Sequence, residues 1–164
     1  MNLAEVYLET ATRNFRGLKT LAEKAIAQVH DDELHRAPAE ESNSVAIMMK
    51  HVAGNLLSRW RDFLTTDGEK PGRARDAEFE EGRESREELF ARWESGWKVL
   101  LDTLASLREE DLFKSVTIRG EPHSVVLAIN RQVVHYAYHV GQIVYLAKQL
   151  RGREWENLSM PKAR

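Results

Sequence analysis

The sequence contains no cysteine and no long hydrophobic run. Without cysteine, the 164-residue chain has no disulfide bond, no cysteine nucleophile and no cysteine-ligated zinc, so a small molecule must supply any thiol that its chemistry needs. No stretch approaches the roughly 18 apolar residues of a membrane span. The first residues, MNLAEVYLETATRNF, lack the apolar segment of a signal peptide. We therefore expect a soluble, cytoplasmic protein without a membrane partner.

An excess of charge of one sign is also missing. Lys+Arg total 24 and Asp+Glu total 26, which gives a formal net charge of -2. Such a balance offers no basic surface of the kind that binds nucleic acid, so we expect no nucleic-acid partner. The length suits one domain with a sizeable core, and no repeat or low-complexity tract divides it. We expect a single domain over residues 1–164.

Four long segments show the three-to-four-residue spacing of apolar residues that is typical of amphipathic helices. The predicted helices cover about residues 2–29, 43–66, 85–107 and 124–151. Asn43 or Ser44 is the candidate N-cap of the second helix, and Ser85 with Glu88 forms a capping box for the third. Ser124 is the candidate N-cap of the fourth helix.

Two connections between these helices stand out. Residues 67–83 form a long polar stretch, and a loop of this length in a small domain is often functional or mobile. Residues 115–125, SVTIRGEPHSV, alternate in polarity and then break, which indicates a short β-hairpin between the third and fourth helices. The pattern as a whole predicts an all-α four-helix bundle, and its long connections do not force an up-down-up-down order.

The segment HYAYHVGQI places His135 and His139 four residues apart, so both lie on one face of the fourth helix. His51 occupies an inward position of the second helix, where a buried ring needs a polar partner. Three histidines from two helices of one bundle can converge on a metal ion, because neutral imidazole is the commonest metal ligand. Three protein ligands leave an open position, which is the arrangement of catalytic sites.

One alternative needs no metal. The three histidines can be buried and hydrogen-bonded, and a purified protein that takes up neither nickel nor zinc would support that interpretation. Imidazole accepts nickel, zinc, copper or iron, so the residues themselves leave the metal open. His30 and His35 fall in a polar stretch and His123 precedes the fourth helix; we expect all three at the surface.

Polar residues near the three histidines are candidates to orient the rings or to meet a substrate. They are Asn55, Arg59, Arg131, Tyr138 and Gln142. Asn55 lies one turn after His51 and Gln142 three residues after His139, as expected for groups that hold metal-binding imidazoles. The arginines suit an anionic substrate group, and the tyrosine suits a hydrogen bond to it. Alternatively, Asn55 cross-braces two helices and the arginines pair with neighbouring carboxylates.

Two long motifs resemble the DinB/YfiT superfamily, particularly a branch with no assigned function. They are NSVAIMMKHVAGNL at 43–56 and NRQVVHYAYHVGQIVYLAK at 130–148. The resemblance implies an up-down-down-up bundle that forms a homodimer. It also implies that His51, His135 and His139 bind a divalent metal, commonly nickel or zinc.

Characterised members of that superfamily include enzymes that use low-molecular-weight thiols, such as bacillithiol S-transferases and mycothiol-dependent isomerases. The resemblance therefore implies a metal-dependent transferase, in which the metal turns a small thiol into a thiolate that attacks an electrophilic small-molecule substrate. A metal-dependent hydrolase uses the same kind of site with water. A non-catalytic metal-binding stress or binding protein is the third alternative. No catalytic side chain is assigned by these motifs.

Overall fold

A computed structural model describes residues 2–159, which form four long helices and one two-stranded hairpin. The helices are α1 (Leu3–Ile26), α2 (Val45–Trp60), α3 (Arg86–Ser106) and α4 (Val125–Arg151), and the strands are β1 (Ser115–Ile118) and β2 (Glu121–Ser124). Short 3-10 segments occur between and after the helices, one of them at Asp76–Phe79. The predicted all-α bundle with a hairpin before its last helix is confirmed.

Side-chain caps explain where all four helices begin, and at the start of α2 the cap is Ser44, whose side chain accepts from the backbone N–H of Ile47. Asn2 and Glu5 form a capping box at the start of α1, and Ser85 and Glu88 form the predicted one at the start of α3. The Ser124 side chain accepts from the backbone of Leu127 at the start of α4. Each cap supplies a partner to a backbone N–H that has none within the helix.

Two predicted helix ends were placed too late. α1 ends at Ile26, not near residue 29, and α2 ends at Trp60, not near residue 66. After α2, Asp62 takes a φ of 50°, and the hydroxyls of Thr65 and Thr66 donate to its carbonyl oxygen. These local hydrogen bonds compete with the helical ones, so the chain turns where apolar periodicity alone predicts a longer helix.

Contacts between helix ends show that α1 and α4 run in parallel. Near their starts, the Tyr7 hydroxyl donates to the carbonyl oxygen of Val126 at 3.0 Å. Beyond their ends, the Gln28 amide donates to the carbonyl oxygen of Glu156 at 3.0 Å.

α2 and α3 are parallel to each other and antiparallel to the first pair. Lys50 lies 3.4 Å from Glu84, just before α3, and Thr103 near the end of α3 donates to the Trp60 carbonyl at the end of α2. Against α4 the order reverses, since His51 contacts His139 whereas the later Trp60 contacts the earlier Tyr136. The order is therefore up-down-down-up.

This topology accounts for the long polar connection. Because α2 and α3 are parallel neighbours, the chain must return along the length of a helix between Trp60 and Arg86. That return path brings the 3-10 segment at 76–79 against α2. The connection therefore covers the bundle beside His51, where it can contribute to a site.

A buried aromatic cluster holds the helices together below the histidines. Phe15, Trp60, Trp93, Trp97 and Tyr136 are each at most 1% exposed. The Trp60 indole donates to the Tyr136 hydroxyl at 3.1 Å, so α2 and α4 are joined by a hydrogen bond inside the core. None of the helices within residues 2–159 has the length and apolarity of a membrane span.

Candidate metal centre

Three histidines from α2 and α4 converge on one point inside the bundle. Ring nitrogens of His51, His135 and His139 all lie within 4.8 Å of one another. His51 and His139 are 4% and 8% exposed, so two of the three rings are buried. Helical spacing puts His135 and His139 on one face of α4, and the antiparallel packing of α2 places His51 opposite them.

A carboxylate from the long connection fixes the orientation of His51. The Glu78 Oε2 atom lies 2.9 Å from His51 Nδ1, and because a carboxylate only accepts, the ring donates from Nδ1. Arg73 donates to both carboxylate oxygens of Glu78, at 2.8 and 2.7 Å. Burial opposes the charge on Glu78, but the hydrogen bonds from His51 and Arg73 outweigh it and hold the pKa of Glu78 below its ordinary value. His51 therefore presents Nε2 to the cluster.

Gln142 plays the corresponding part for His139. Its Oε1 atom lies 2.8 Å from His139 Nδ1, so the ring donates there and leaves Nε2 unprotonated when neutral. Burial lowers the pKa of His139, with the Gln142 hydrogen bond acting in the opposite direction. The ring is therefore neutral at pH 7, which is the state that binds a metal.

The third ring faces the second at close range. His135 Nε2 lies 3.1 Å from His139 Nε2, and His135 Nδ1 is buried without a hydrogen-bond partner among residues 2–159. Burial, reinforced by the nearby rings and arginines, lowers the pKa of His135 to about 3. When both rings are neutral, one proton can lie between the Nε2 atoms of His135 and His139 as a hydrogen bond. Alternatively, both Nε2 atoms are unprotonated and their lone pairs face a cation.

The residues present fit a divalent cation. Two of the three rings have Nδ1 tied to oxygen acceptors, which directs Nε2 toward the shared centre, as in metal sites whose histidines are held by outer partners. Metal–nitrogen bonds of about 2.0–2.1 Å can span the 3.1 Å between His135 and His139 Nε2 when they meet at an angle. The ligand set is all nitrogen, which suits nickel, zinc, copper or iron.

A cavity of about 320 Å³ opens above the three histidines. Phe79 covers one side of His51, with ring centroids 4.6 Å apart, and Arg75 lies over Phe79 at 5.1 Å. On the α4 side, Tyr138 packs against His139 with centroids 5.0 Å apart. The cavity is large enough for a small molecule and reaches the point on which the histidines converge.

The other sequence-predicted residues lie around this cavity in different roles. Asn55, Arg59, Arg131 and Tyr138 all line it. Asn55 accepts a hydrogen bond from Tyr136 at 3.0 Å and thus also braces α2 against α4. Arg59 is buried and bonded to Gly68 and Glu69, whereas Tyr138 is 63% exposed.

Sequence reasoning did not single out Glu78, Arg73, Phe79 or Arg119. All four belong to the long connection or the hairpin, where no periodic spacing relates a residue to the helices. The unusual length of the connection marked the segment that holds Arg73, Glu78 and Phe79, and the alternating polarity of residues 115–125 marked the hairpin that holds Arg119. Neither signal selected a residue.

Comparison with known proteins adds one match. A family model described as a protein of unknown function, DUF1572, matches residues 2–164. No curated protein matches the chain.

Proposed function

Because the chain belongs to the DUF1572 family, whose description carries no activity, we propose a function from the chemistry of the histidine cluster. The protein binds a divalent metal, nickel or zinc, through His51, His135 and His139. It serves as a transferase that joins a low-molecular-weight thiol to an electrophilic small molecule. The observation that carries this proposal is the convergence of three ring nitrogens within 4.8 Å at the base of an open cavity.

The chain supplies neutral ligands and no internal nucleophilic thiol. A divalent cation held by three neutral imidazoles keeps its full charge and lowers the pKa of a coordinated thiol or water. With no cysteine in the sequence, the thiol comes from solution and enters the cavity. The transfer forms a sulfur–carbon bond, the leaving group departs with its bonding electrons, and the thiol proton passes to solvent.

Side chains around the cluster keep it ready for this chemistry. Glu78 and Gln142 hold the rings of His51 and His139 so that neither must rotate when substrate arrives. Phe79 shields His51 from water on one side. The Tyr138 hydroxyl at the rim is placed to donate a hydrogen bond to a substrate.

The motifs around His51 and the His135–His139 pair support a place for the chain in the wider DinB/YfiT superfamily. Because characterised members of that superfamily use low-molecular-weight thiols, this resemblance is the reason for preferring a thiol to water as the nucleophile. It is also the source of the predicted homodimer. Size-exclusion chromatography with light scattering tests the dimer, since a monomer mass at all concentrations would contradict it.

The activity is tested with untagged protein loaded with nickel or zinc. We expect turnover of an electrophile panel, such as chlorodinitrobenzene and an epoxide, only when a thiol from a panel with bacillithiol, mycothiol, glutathione and cysteine is added. His51→Ala is expected to lose the activity together with the metal, and His30→Ala, at an exposed histidine outside the cavity, is the matched control. Turnover of an ester or amide without added thiol would show that the protein is a hydrolase and not a transferase. A protein that binds metal but has neither activity would be a non-catalytic binding protein.

A further inference from the structure

Positive charge is concentrated around the cavity above the histidines. Among residues 2–159, no carboxylate lines it, but five arginines do: Arg59, Arg73, Arg75, Arg119 and Arg131. Within residues 2–159, the carboxylates paired with these arginines are Glu69, Asp76 and Glu78. Five positive charges less three negative ones leave +2, in a chain whose net charge is -2. A cavity with this excess favours an anionic ligand.

Arg119 occupies a backbone position that rarely takes arginine. Its φ is 55°, and that of Gly120 is 79°. The two residues form the turn between strands whose last pair is Ile118 and Glu121. Two-residue hairpin turns with positive φ at both positions favour Asn, Asp or Gly at the first. A residue held against its conformational preference beside a cavity indicates a function for its side chain.

The long connection anchors this turn and directs the arginine toward the cavity. The Asp67 carboxylate accepts from the backbone N–H groups of Arg119 at 2.9 Å and Gly120 at 2.8 Å. The Arg119 side chain then reaches Glu69 Oε2 at 3.0 Å and remains 56% exposed. Its single ion pair leaves most of its guanidinium donors available to a ligand.

Arg131 faces the same space from α4. Its Nη1 atom is 3.4 Å from His123 Nε2, and no carboxylate within residues 2–159 is paired with it. The neighbouring Gln132 is 3% exposed, and its Oε1 atom is buried without a partner in the described part of the chain. Polar groups that a folded protein buries usually find partners, so the wall beside Arg131 has hydrogen-bonding capacity that its own side chains do not use.

We propose that the cavity selects substrates that carry a carboxylate or phosphate group, bound at the rim by Arg119 and Arg131. This inference rests on the proposed function, because it orients the substrate above the three histidines. The planar guanidinium matches either oxyanion with two parallel hydrogen bonds. The cavity volume of about 320 Å³ limits the ligand to a small molecule.

The test measures anion binding to the metal-loaded, untagged full chain by isothermal titration calorimetry. Inorganic phosphate and succinate are the two anionic probes, and succinamide is the neutral match for succinate. Arg119→Asn removes the guanidinium but keeps a residue suited to positive φ, and Arg131→Gln removes the other. Arg36→Gln, at an exposed arginine outside the cavity, is the matched control, and circular dichroism checks that each variant folds.

We expect each cavity variant to weaken the affinity for the preferred anion by about 10-fold, the magnitude of one charged hydrogen bond. Arg36→Gln is expected to leave that affinity unchanged. Whichever of phosphate and succinate binds more tightly identifies the anionic group, and succinamide is expected not to bind. Unchanged anion affinity in the double variant would overturn the inference.

Metal content is measured on the same samples to separate this inference from the proposed function. Anion binding that is lost in His51→Ala but unaffected by both arginine substitutions means that the anion is only a ligand of the metal, and contradicts the proposal. A chain that takes up no metal but still binds the anion through the arginines would contradict the proposed function alone.

Discussion

Glu78 shows how much of the candidate site depends on one residue outside the helices. Its carboxylate is held by Arg73 and accepts from His51, so it determines which ring nitrogen His51 presents. The carboxylate lies directly against Gly54 of α2, where an added Cβ would overlap it. The absence of a side chain at residue 54 is therefore what allows the long connection to reach His51.

Gly54→Ala is expected to weaken metal binding by about 10-fold, because it displaces a carboxylate that orients a ligand. It should not lower stability through the helix itself, since alanine favours a helix by about 1 kcal/mol over glycine. Gly17→Ala in α1 is the control, because no atom from elsewhere in residues 2–159 lies within 4 Å of a Cβ built there. A competition titration with a chelator gives the metal affinity, and equal affinity in the two variants would rule out the positioning by Glu78.

At the scale of the helices, one buried series of hydrogen bonds joins α2 to α4 beneath the histidines. The Tyr136 hydroxyl accepts from Trp60 at 3.1 Å and donates to Asn55 at 3.0 Å. Burial raises the pKa of Tyr136, so its hydroxyl stays protonated. These hydrogen bonds set the separation of the two helices that carry the histidines.

Tyr136→Phe should lower the free energy of unfolding by about 1–3 kcal/mol, because it leaves the Trp60 indole and the Asn55 amide oxygen buried without this partner. Tyr145→Phe removes an exposed hydroxyl from the same helix and should change stability by less than about 0.5 kcal/mol. Urea unfolding measures both. A Tyr136→Phe protein as stable as the Tyr145→Phe protein would show that the buried hydrogen bonds contribute little.

The contact between the long connection and the hairpin predicts a pH dependence. Backbone N–H groups, that of Gly120 first, lower the pKa of Asp67 despite an opposing effect of burial. A carboxyl whose pKa is lowered by folding stabilises the fold above its unfolded pKa of about 3.9, and this contribution is lost as the pH falls through the folded value.

Asp67→Asn should therefore be less stable than the wild type at pH 7, and the difference should shrink as the pH falls below about 4. Chemical unfolding of both proteins at a series of pH values gives the difference directly. A difference that stays constant down to pH 2 would contradict an ionised carboxylate at the hairpin turn.

These elements also show what could be predicted from the sequence. The caps at Ser85 and Ser124 depend on neighbouring residues, so their positions were predicted correctly. The end of α2 depends on hydrogen bonds to the carbonyl of Asp62, which apolar periodicity does not report. Glu78 meets His51 across 27 residues of chain, a distance over which no local pattern relates them.

At the scale of the whole molecule, the up-down-down-up order assembles the site. The parallel α2 and α3 require a connection that returns along the bundle, and this connection forms one wall of the cavity beside His51. The hairpin before α4 brings Arg119 to the rim of the same cavity. A chain with nearly balanced charge thus carries a positive cavity above three histidines, which is the arrangement that the proposed metal and anion would need.

The most direct test of this account is elemental analysis of the protein purified without a polyhistidine tag and without a nickel column. The account predicts one divalent cation per chain in the wild type and in His123→Ala, and almost none in His51→Ala or His135→Ala. The reason is that, in the described part of the chain, the cluster holds His51, His135 and His139 and no fourth ligand. A wild-type protein that takes up neither nickel nor zinc, or a His135→Ala protein with the full metal content, would contradict it.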